Sequence, residues 1–121
     1  MIRYNQEHEW AKIEGDEATV GVSAYAVEQL GDITFVELPE VDAEVSAEES
    51  VAFVESVKAA SDIYTPLSGT ITAVNESLLD APEQLNAAPA ETWIFKLKLS
   101  DEAEVEELMD QVAYDAYLAT L

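Results

Sequence analysis

Lys58 supplies the one positive charge in the stretch VESVKAASDIYTPLSG, Val54 to Gly69, of a chain with 26 acidic and only 5 basic residues. A lysine amine can be acylated, can pair with a carboxylate, or can simply hold water. The segment lies between a strand-like run ending near Val57 and another beginning near Asp62, with the small residues Ala59, Ala60 and Ser61 between them. That pattern predicts a hairpin tip. A lysine displayed there is open to an acylating enzyme from several sides, although these residues taken alone favour an ordinary solvated lysine. The other lysines have a structural account. Lys96 and Lys98 alternate with Phe95, Leu97 and Leu99, and Lys12 with Ala11 and Ile13, which puts them on the solvent faces of half-buried strands.

Other chemistry is sparse. There is no cysteine, so the chain has no disulfide, no thiol nucleophile and no thiolate metal site. His8 is the only histidine, too few for a multi-histidine metal centre, and it is expected to pack or hydrogen-bond within His-Glu-Trp. The 4 glycines are too scattered for a dinucleotide or phosphate loop, and no serine–histidine pairing is visible. Neither catalytic residues nor metal ligands are expected.

The elements that must position Lys58 read mainly as β. EWAKIEG, EATVGVS, DITFVEL, ESVAFVESV, DIYTPL, GTITAV and TWIFKLKL are short strand-like runs separated by turn signals, the pattern of a small sandwich or barrel. SAYAVEQLG predicts a short helix with Ser23 as N-cap and Gly31 beyond its end, and APEQLN a shorter one with Pro82 at a first helical position. After Leu99 the character changes. Val105, Leu108, Met109 and Val112 fall at helical spacing behind an Asp101/Glu104 capping box, so residues 1–99 are expected to form a β domain and 100–121 a helical extension packed on it. Tyr64, Pro66 and Trp93 are assigned to packing.

At 121 residues and 49% hydrophobic content the chain is long and apolar enough for one globular domain. A net charge of −21 argues against nucleic acid or anionic membrane as partners, because phosphates are neutralised by clustered Lys and Arg. No segment approaches the roughly 20 apolar residues of a membrane span, and MIRYNQEHEW lacks a signal-peptide core, so a cytoplasmic protein is expected.

Three stretches, HEWAKIEGDEATVGVSAYAVEQLGDITFVELPEVDAEV, VESVKAASDIYTPLSGTITAVNESLL and NAAPAETWIFKLKL, resemble the H protein family of the glycine cleavage system, the lipoylated carriers. The resemblance spans nearly the whole chain. It implies a flattened lipoyl or hammerhead-type β-barrel of two similar halves with short helices and a C-terminal helix, with lipoate joined to Lys58 through an amide. It also implies the partners: a pyridoxal-phosphate glycine decarboxylase (P protein) that loads an aminomethyl group, a tetrahydrofolate-dependent aminomethyltransferase (T protein), dihydrolipoamide dehydrogenase (L protein), and a lipoylating enzyme. Glu9 and Asp62, with Glu7 beside them, match the acids of a cleft thought to shelter the loaded arm. Glu55, three residues before Lys58, matches an acid read by lipoylating enzymes. Gly69 matches one of two symmetry-related turn glycines, Asp42 stands where the other is usual, and Thr92 precedes Trp93 in place of a usual glycine.

Alternatives stay open. A biotin carrier would bracket its lysine with methionines, whereas Val57 and Ala59 stand here. An H-like relay supplying lipoyl groups to 2-oxoacid dehydrogenases, or an unmodified acidic interaction module, fits the composition too. Because the acids are spread along the chain, the charge points to a salt-loving source organism. Screening of their mutual repulsion should make the melting temperature rise through a KCl series to about 1 M, where the Debye length falls to roughly 3 Å. A melting temperature that fell with KCl would count against that reading.

Overall fold

The computed structural model describes residues 1–121. Its strands are β1 (Ile2–Tyr4), β2 (Glu9–Glu14), β3 (Glu17–Val22), β4 (Ile33–Glu37), β5 (Glu44–Val45), β6 (Ser50–Ser56), β7 (Ala60–Tyr64), β8 (Gly69–Val74) and β9 (Phe95–Leu99). The helices are α1 (Ala24–Leu30), α2 (Ser77–Asp80), α3 (Gln84–Ala87) and α4 (Gln111–Leu118), with a 3-10 helix at Glu102–Glu107. The strands form two antiparallel sheets, one of six strands in the order β1-β2-β3-β9-β8-β5 and one of three in the order β4-β6-β7. This is a mainly β, two-layered architecture, its layers unequal in strand number.

Alternation explains why the layers pack. In β9, Phe95, Leu97 and Leu99 are buried while Lys98 is exposed and Lys96 half-buried, its ammonium 5.2 Å from the Trp93 ring centroid. Val36 of β4, Val54 of β6 and Ile63 of β7 point inward from the smaller sheet to the same cluster of 19 buried side chains. Each fully buried Leu, Val or Phe side chain contributes roughly 1.5–3 kcal/mol. One ion pair, Lys12–Glu14 at 3.5 Å and well exposed, does little to offset the excess of carboxylates.

Several boundaries differ from the sequence reading. Ser23 caps α1, its Oγ accepting from Ala26 N, and Gly31 ends it at φ 82°, as expected. Pro82 lies ahead of α3, which starts at Gln84, and α2 and the short strands β1 and β5 carried no readable period. The tail is not one amphipathic helix. Asp101 does cap the 3-10 turn through Ala103 N, but the Glu104 carboxylate turns away to accept from Ser68 N and Ser68 Oγ, both at 2.8 Å, so no reciprocal capping box forms. Met109 then breaks the helical run by bridging to Tyr4, leaving Val112 78% exposed on α4. Tertiary pairing overrides the local period.

The two turn positions behave differently. Asp42 sits at φ 75°, the left-handed region that a glycine would occupy without strain. Gly69 is needed for another reason than turn conformation: a Cβ there would lie 2.1 Å from the Lys98 carbonyl oxygen across the β8–β9 ladder. Gly69→Ala should therefore cost about 1–3 kcal/mol or more through overpacking, whereas Asp42→Gly should be neutral or gain up to about 1 kcal/mol. Urea melts of both variants check the contrast.

Candidate functional site

Lys58 stands on the tip of the β6–β7 hairpin, exposed. The turn is built by Ser56. Its backbone N donates to Ala59 O at 2.7 Å, and its Oγ accepts from Lys58 N at 3.2 Å and Ala59 N at 3.0 Å. A hydroxyl bonding to the backbone two and three residues on closes the turn without glycine. The tip is also tied to the body of the protein: Val57 N donates to Asp32 O at 3.0 Å, and the alkyl stem of Lys58 lies against Gly31, where an added Cβ would come within 3.0 Å of Lys58 Cε. Asn86 of α3 holds that loop in turn, donating from Nδ2 to Gly31 O at 2.8 Å and accepting Ile33 N at 2.9 Å on Oδ1. The amine is thus presented from a rigid base.

Beside the hairpin lies a cleft of about 60 Å³. Val22, Ala26, Leu30 and Val54 form its apolar wall, and Glu7, Glu9, Ser61, Asp62 and Tyr64 its polar side. The structure therefore brings together three of the sequence-selected acids, contributed by the turn before β2, by β2 itself and by β7. Glu7 and Asp62 are exposed, whereas Glu9 is only 3% exposed. Glu55 is exposed on β6 and lies outside the cleft.

Glu9 is the unusual group. Its Oε1 accepts from Asn5 Nδ2 at 2.7 Å and its Oε2 from Tyr64 N at 3.4 Å. Asn5 Oδ1 meanwhile accepts the backbone N–H groups of Glu7 and Glu9, which shapes the turn with His8 at φ 69°. Burial pushes the Glu9 pKa up to about 8, with the neighbouring carboxyls of Glu48 and Glu7 adding to the rise and the two hydrogen bonds opposing it. Glu9 is therefore protonated at neutral pH. Glu48, at φ 68°, also has a raised pKa, first from burial and then from Glu7. Glu7, Glu48 and Tyr64 line a wider depression of about 550 Å³, which shares Glu7 and Tyr64 with the cleft.

Sequence reasoning missed Asn5, Glu48 and the apolar wall. Asn5 carried no motif, and Glu48 is 39 residues from Glu9, so only the fold unites them. Tyr64, assigned to packing, supplies a backbone donor to Glu9 and lines the cleft. His8 does not bond within its own motif. Its Nδ1 lies 2.9 Å from Tyr114 Oη, and its ring packs against Tyr25, Tyr114 and Tyr117, so it anchors α4.

A rigidly based hairpin lysine on a two-sheet β-barrel, next to a small acid-lined cleft, defines a lipoyl-type domain. The model of the glycine cleavage H-protein family matches residues 2–121. A glycine cleavage system H protein from Escherichia coli is 56% identical over 119 residues, covering 97% of this chain and 92% of that one. Another from Phenylobacterium zucineum is 50% identical over 119 residues, covering 98% of each chain. The crystal structure of a glycine cleavage system H protein from Mycobacterium marinum superposes with a TM-score of 0.89 at 37% identity, covering 98% of this chain and 96% of that one. The chain belongs to the glycine cleavage H-protein family. Its members are carrier subunits rather than catalysts.

The buried acid makes a prediction. Because the folded state holds the Glu9 proton more tightly than the unfolded chain, Glu9 costs nothing below about pH 4.5 and destabilises increasingly as pH rises to about 8, levelling off beyond. At about 1.4 kcal/mol per pKa unit the full effect is on the order of 5 kcal/mol. Glu9→Gln keeps an acceptor for Asn5 and should flatten this slope. Parallel denaturant melts between pH 4.5 and 9 check it, and an unchanged slope in the variant would show that folding does not raise the Glu9 pKa.

Proposed function

We infer that the chain carries lipoate on Lys58 and takes the aminomethyl group of glycine from the decarboxylase to the aminomethyltransferase, after which dihydrolipoamide dehydrogenase restores the disulfide. The observation that carries this is the placement of Glu7, Glu9 and Asp62 in one apolar-walled cleft beside the lysine hairpin of an H-family chain. Attachment makes an amide. The neutral ε-nitrogen of Lys58 bonds to the acyl carbon of an activated lipoyl donor, the acyl bond to the leaving group breaks, and the nitrogen gives up one proton. Glu55 is exposed on β6 near the tip, which supports assigning it to recognition by the enzyme that does this. When bound, the lipoyl group supplies a disulfide that accepts a one-carbon amine with two electrons and later yields both.

The residues of the cleft suit that cargo. A cleft of about 60 Å³ that opens to solvent suits the small cationic end of the arm. Leu30 and Val54 would exclude water there, and a cationic amine would meet the three carboxyls. Glu9, neutral in the empty cleft, would then lose its proton to solvent and pair with the cation. The covalent arm does what linkage does in general, replacing a search for cargo by a local concentration set by its length. The same reading places the protein in the cytoplasm with its partner enzymes.

Intact mass and peptide mapping of protein from its native host should find a lipoyl increment on Lys58 that Lys58→Ala abolishes; unmodified Lys58 in cells lipoylating other proteins would overturn the reading. In the loaded protein, Glu9→Gln and Asp62→Asn should each speed loss of the aminomethyl group several-fold. Decay at the wild-type rate in both variants would remove the cleft's role. Glu55→Ala should be lipoylated more slowly, and an unchanged rate would leave Glu55 an ordinary surface residue.

A further inference from the structure

The outer face of the β4-β6-β7 sheet carries a pattern that folding does not require. In register, Phe35 of β4 lies opposite Glu55 of β6, which lies opposite Ala60 of β7; one row further on, Glu37, Phe53 and Asp62 lie side by side. Two aromatic rings thus sit on a diagonal among three carboxylates. Phe35 is 46% exposed, Phe53 is half-buried, and Glu37, Glu55 and Asp62 are exposed. Val57, 68% exposed, extends the apolar surface to the hairpin tip.

A β-bulge creates this arrangement. Ile33 and Val36 both point into the core, which strict alternation forbids for residues three apart. The register shift between Ile33 and Phe35 resolves the conflict by leaving Thr34 and Phe35 both outside. Bulges re-aim side chains, and this one turns a phenylalanine out into water. A groove of about 360 Å³ lined by Glu37, Leu38, Val51, Phe53 and Asp62 continues the surface away from the tip.

The charge on this face selects its partner. Between Ile33 and Tyr64 the chain has no basic residue except Lys58. The complementary surface is therefore apolar at its centre with arginine or lysine around it, since a guanidinium can cover a phenyl ring and pair with the carboxylate beside it. Such a partner must also reach Lys58. Enzymes that work on the far end of a flexible arm meet it at a distance from the hairpin, but the enzyme that forms the amide has to bring its acyl carbon to the lysine nitrogen itself, and so must sit over the strands that carry it.

We propose that the Phe35–Glu37–Phe53 face of the smaller sheet is the docking surface for the enzyme that attaches lipoate to Lys58. This rests on the carrier function inferred above and extends recognition from Glu55 across the outer face, which meets the arm cleft at Asp62.

The test uses the full-length unmodified protein and a purified lipoate–protein ligase with lipoate and ATP, following the mass of the product. Phe35→Ala combined with Glu37→Lys should lower kcat/KM for acylation of Lys58 at least ten-fold, chiefly through KM, and flatten its dependence on salt. Thermal melts of both proteins establish that the variant is folded, and Glu37→Gln alone, which adds no clash, should give a smaller loss in the same direction. After excess ligase has driven the variant to full modification, the decarboxylase should load it at the wild-type rate. Equal kcat/KM for variant and wild type would overturn the assignment, as would equal losses in acylation and loading. Failure of the ligase to modify even the wild type would instead bring down the carrier function and this inference with it.

Discussion

The Glu9 carboxyl group is sealed between the two sheets, and much of the local structure exists to satisfy it. Burying a carboxyl without partners would cost several kcal/mol. Here Asn5 Nδ2 and Tyr64 N each donate to it, one from the β1–β2 turn of the larger sheet and one from the last residue of β7 in the smaller. The acid is thus a joint as well as a lining of the cleft. Its turn is held in place from behind. His8, at φ 69°, is kept there by three tyrosine rings, and Tyr114 also bonds to Ser23 Oγ at the start of α1 and stacks on Tyr4 with 4.1 Å between centroids. The C-terminal helix therefore supports the cleft without touching it.

The hairpin is fixed through a separate chain of contacts. Asn86 clamps the Gly31–Ile33 loop, Asp32 O accepts from Val57 N, and the lysine stem lies on Gly31. Rigidity ends at the Lys58 side chain. That division suits a carrier: a fixed hairpin gives an attaching enzyme one shape to read, while the freedom needed to visit other proteins resides in the side chain and whatever is joined to it. The two chains of contacts meet at the cleft wall, where Leu30 ends α1 next to Gly31 and faces the residues around Glu9.

What the sequence discloses follows the range of the interactions involved. Strands β6 and β9 announce themselves because each buries alternate residues, β2, β3, β4, β7 and β8 through β-branched or aromatic runs between turn signals, and Ser23 and Gly31 mark α1 through local capping. The hairpin tip is local too, so Lys58 could be placed from its neighbours. Strands of two or three residues have no period to read. The tail misleads for a different reason: Val105, Leu108, Met109 and Val112 have helical spacing, but the Tyr4–Met109 bridge and the Ser68–Glu104 contacts join residues far apart in the chain and take precedence. The cleft is the least legible feature. Resemblance singled out Glu7, Glu9 and Asp62, yet only the folded chain sets Asn5 and Glu48 around Glu9 and buries it so that its pKa rises to about 8.

That neutrality resolves a difficulty for any site meant to receive a cation only part of the time. Three ionised carboxylates facing an apolar wall would repel one another whenever the cleft was empty, and a chain of net charge −21 has few counter-charges to relieve them. Glu7 and Asp62 remain exposed and keep their hydration, while the buried Glu9 keeps its proton, so the empty cleft holds no dry unpaired charge. An arriving ammonium would reverse the balance, because the same burial that disfavours a lone carboxylate strengthens its attraction to a cation beside it. Release of one proton would then accompany occupancy. A site arranged in this way would hold a bound cation more firmly as pH rises toward 8, for as long as the cation keeps its own proton, even as the empty protein becomes less stable over the same range, since both trends come from the one buried acid.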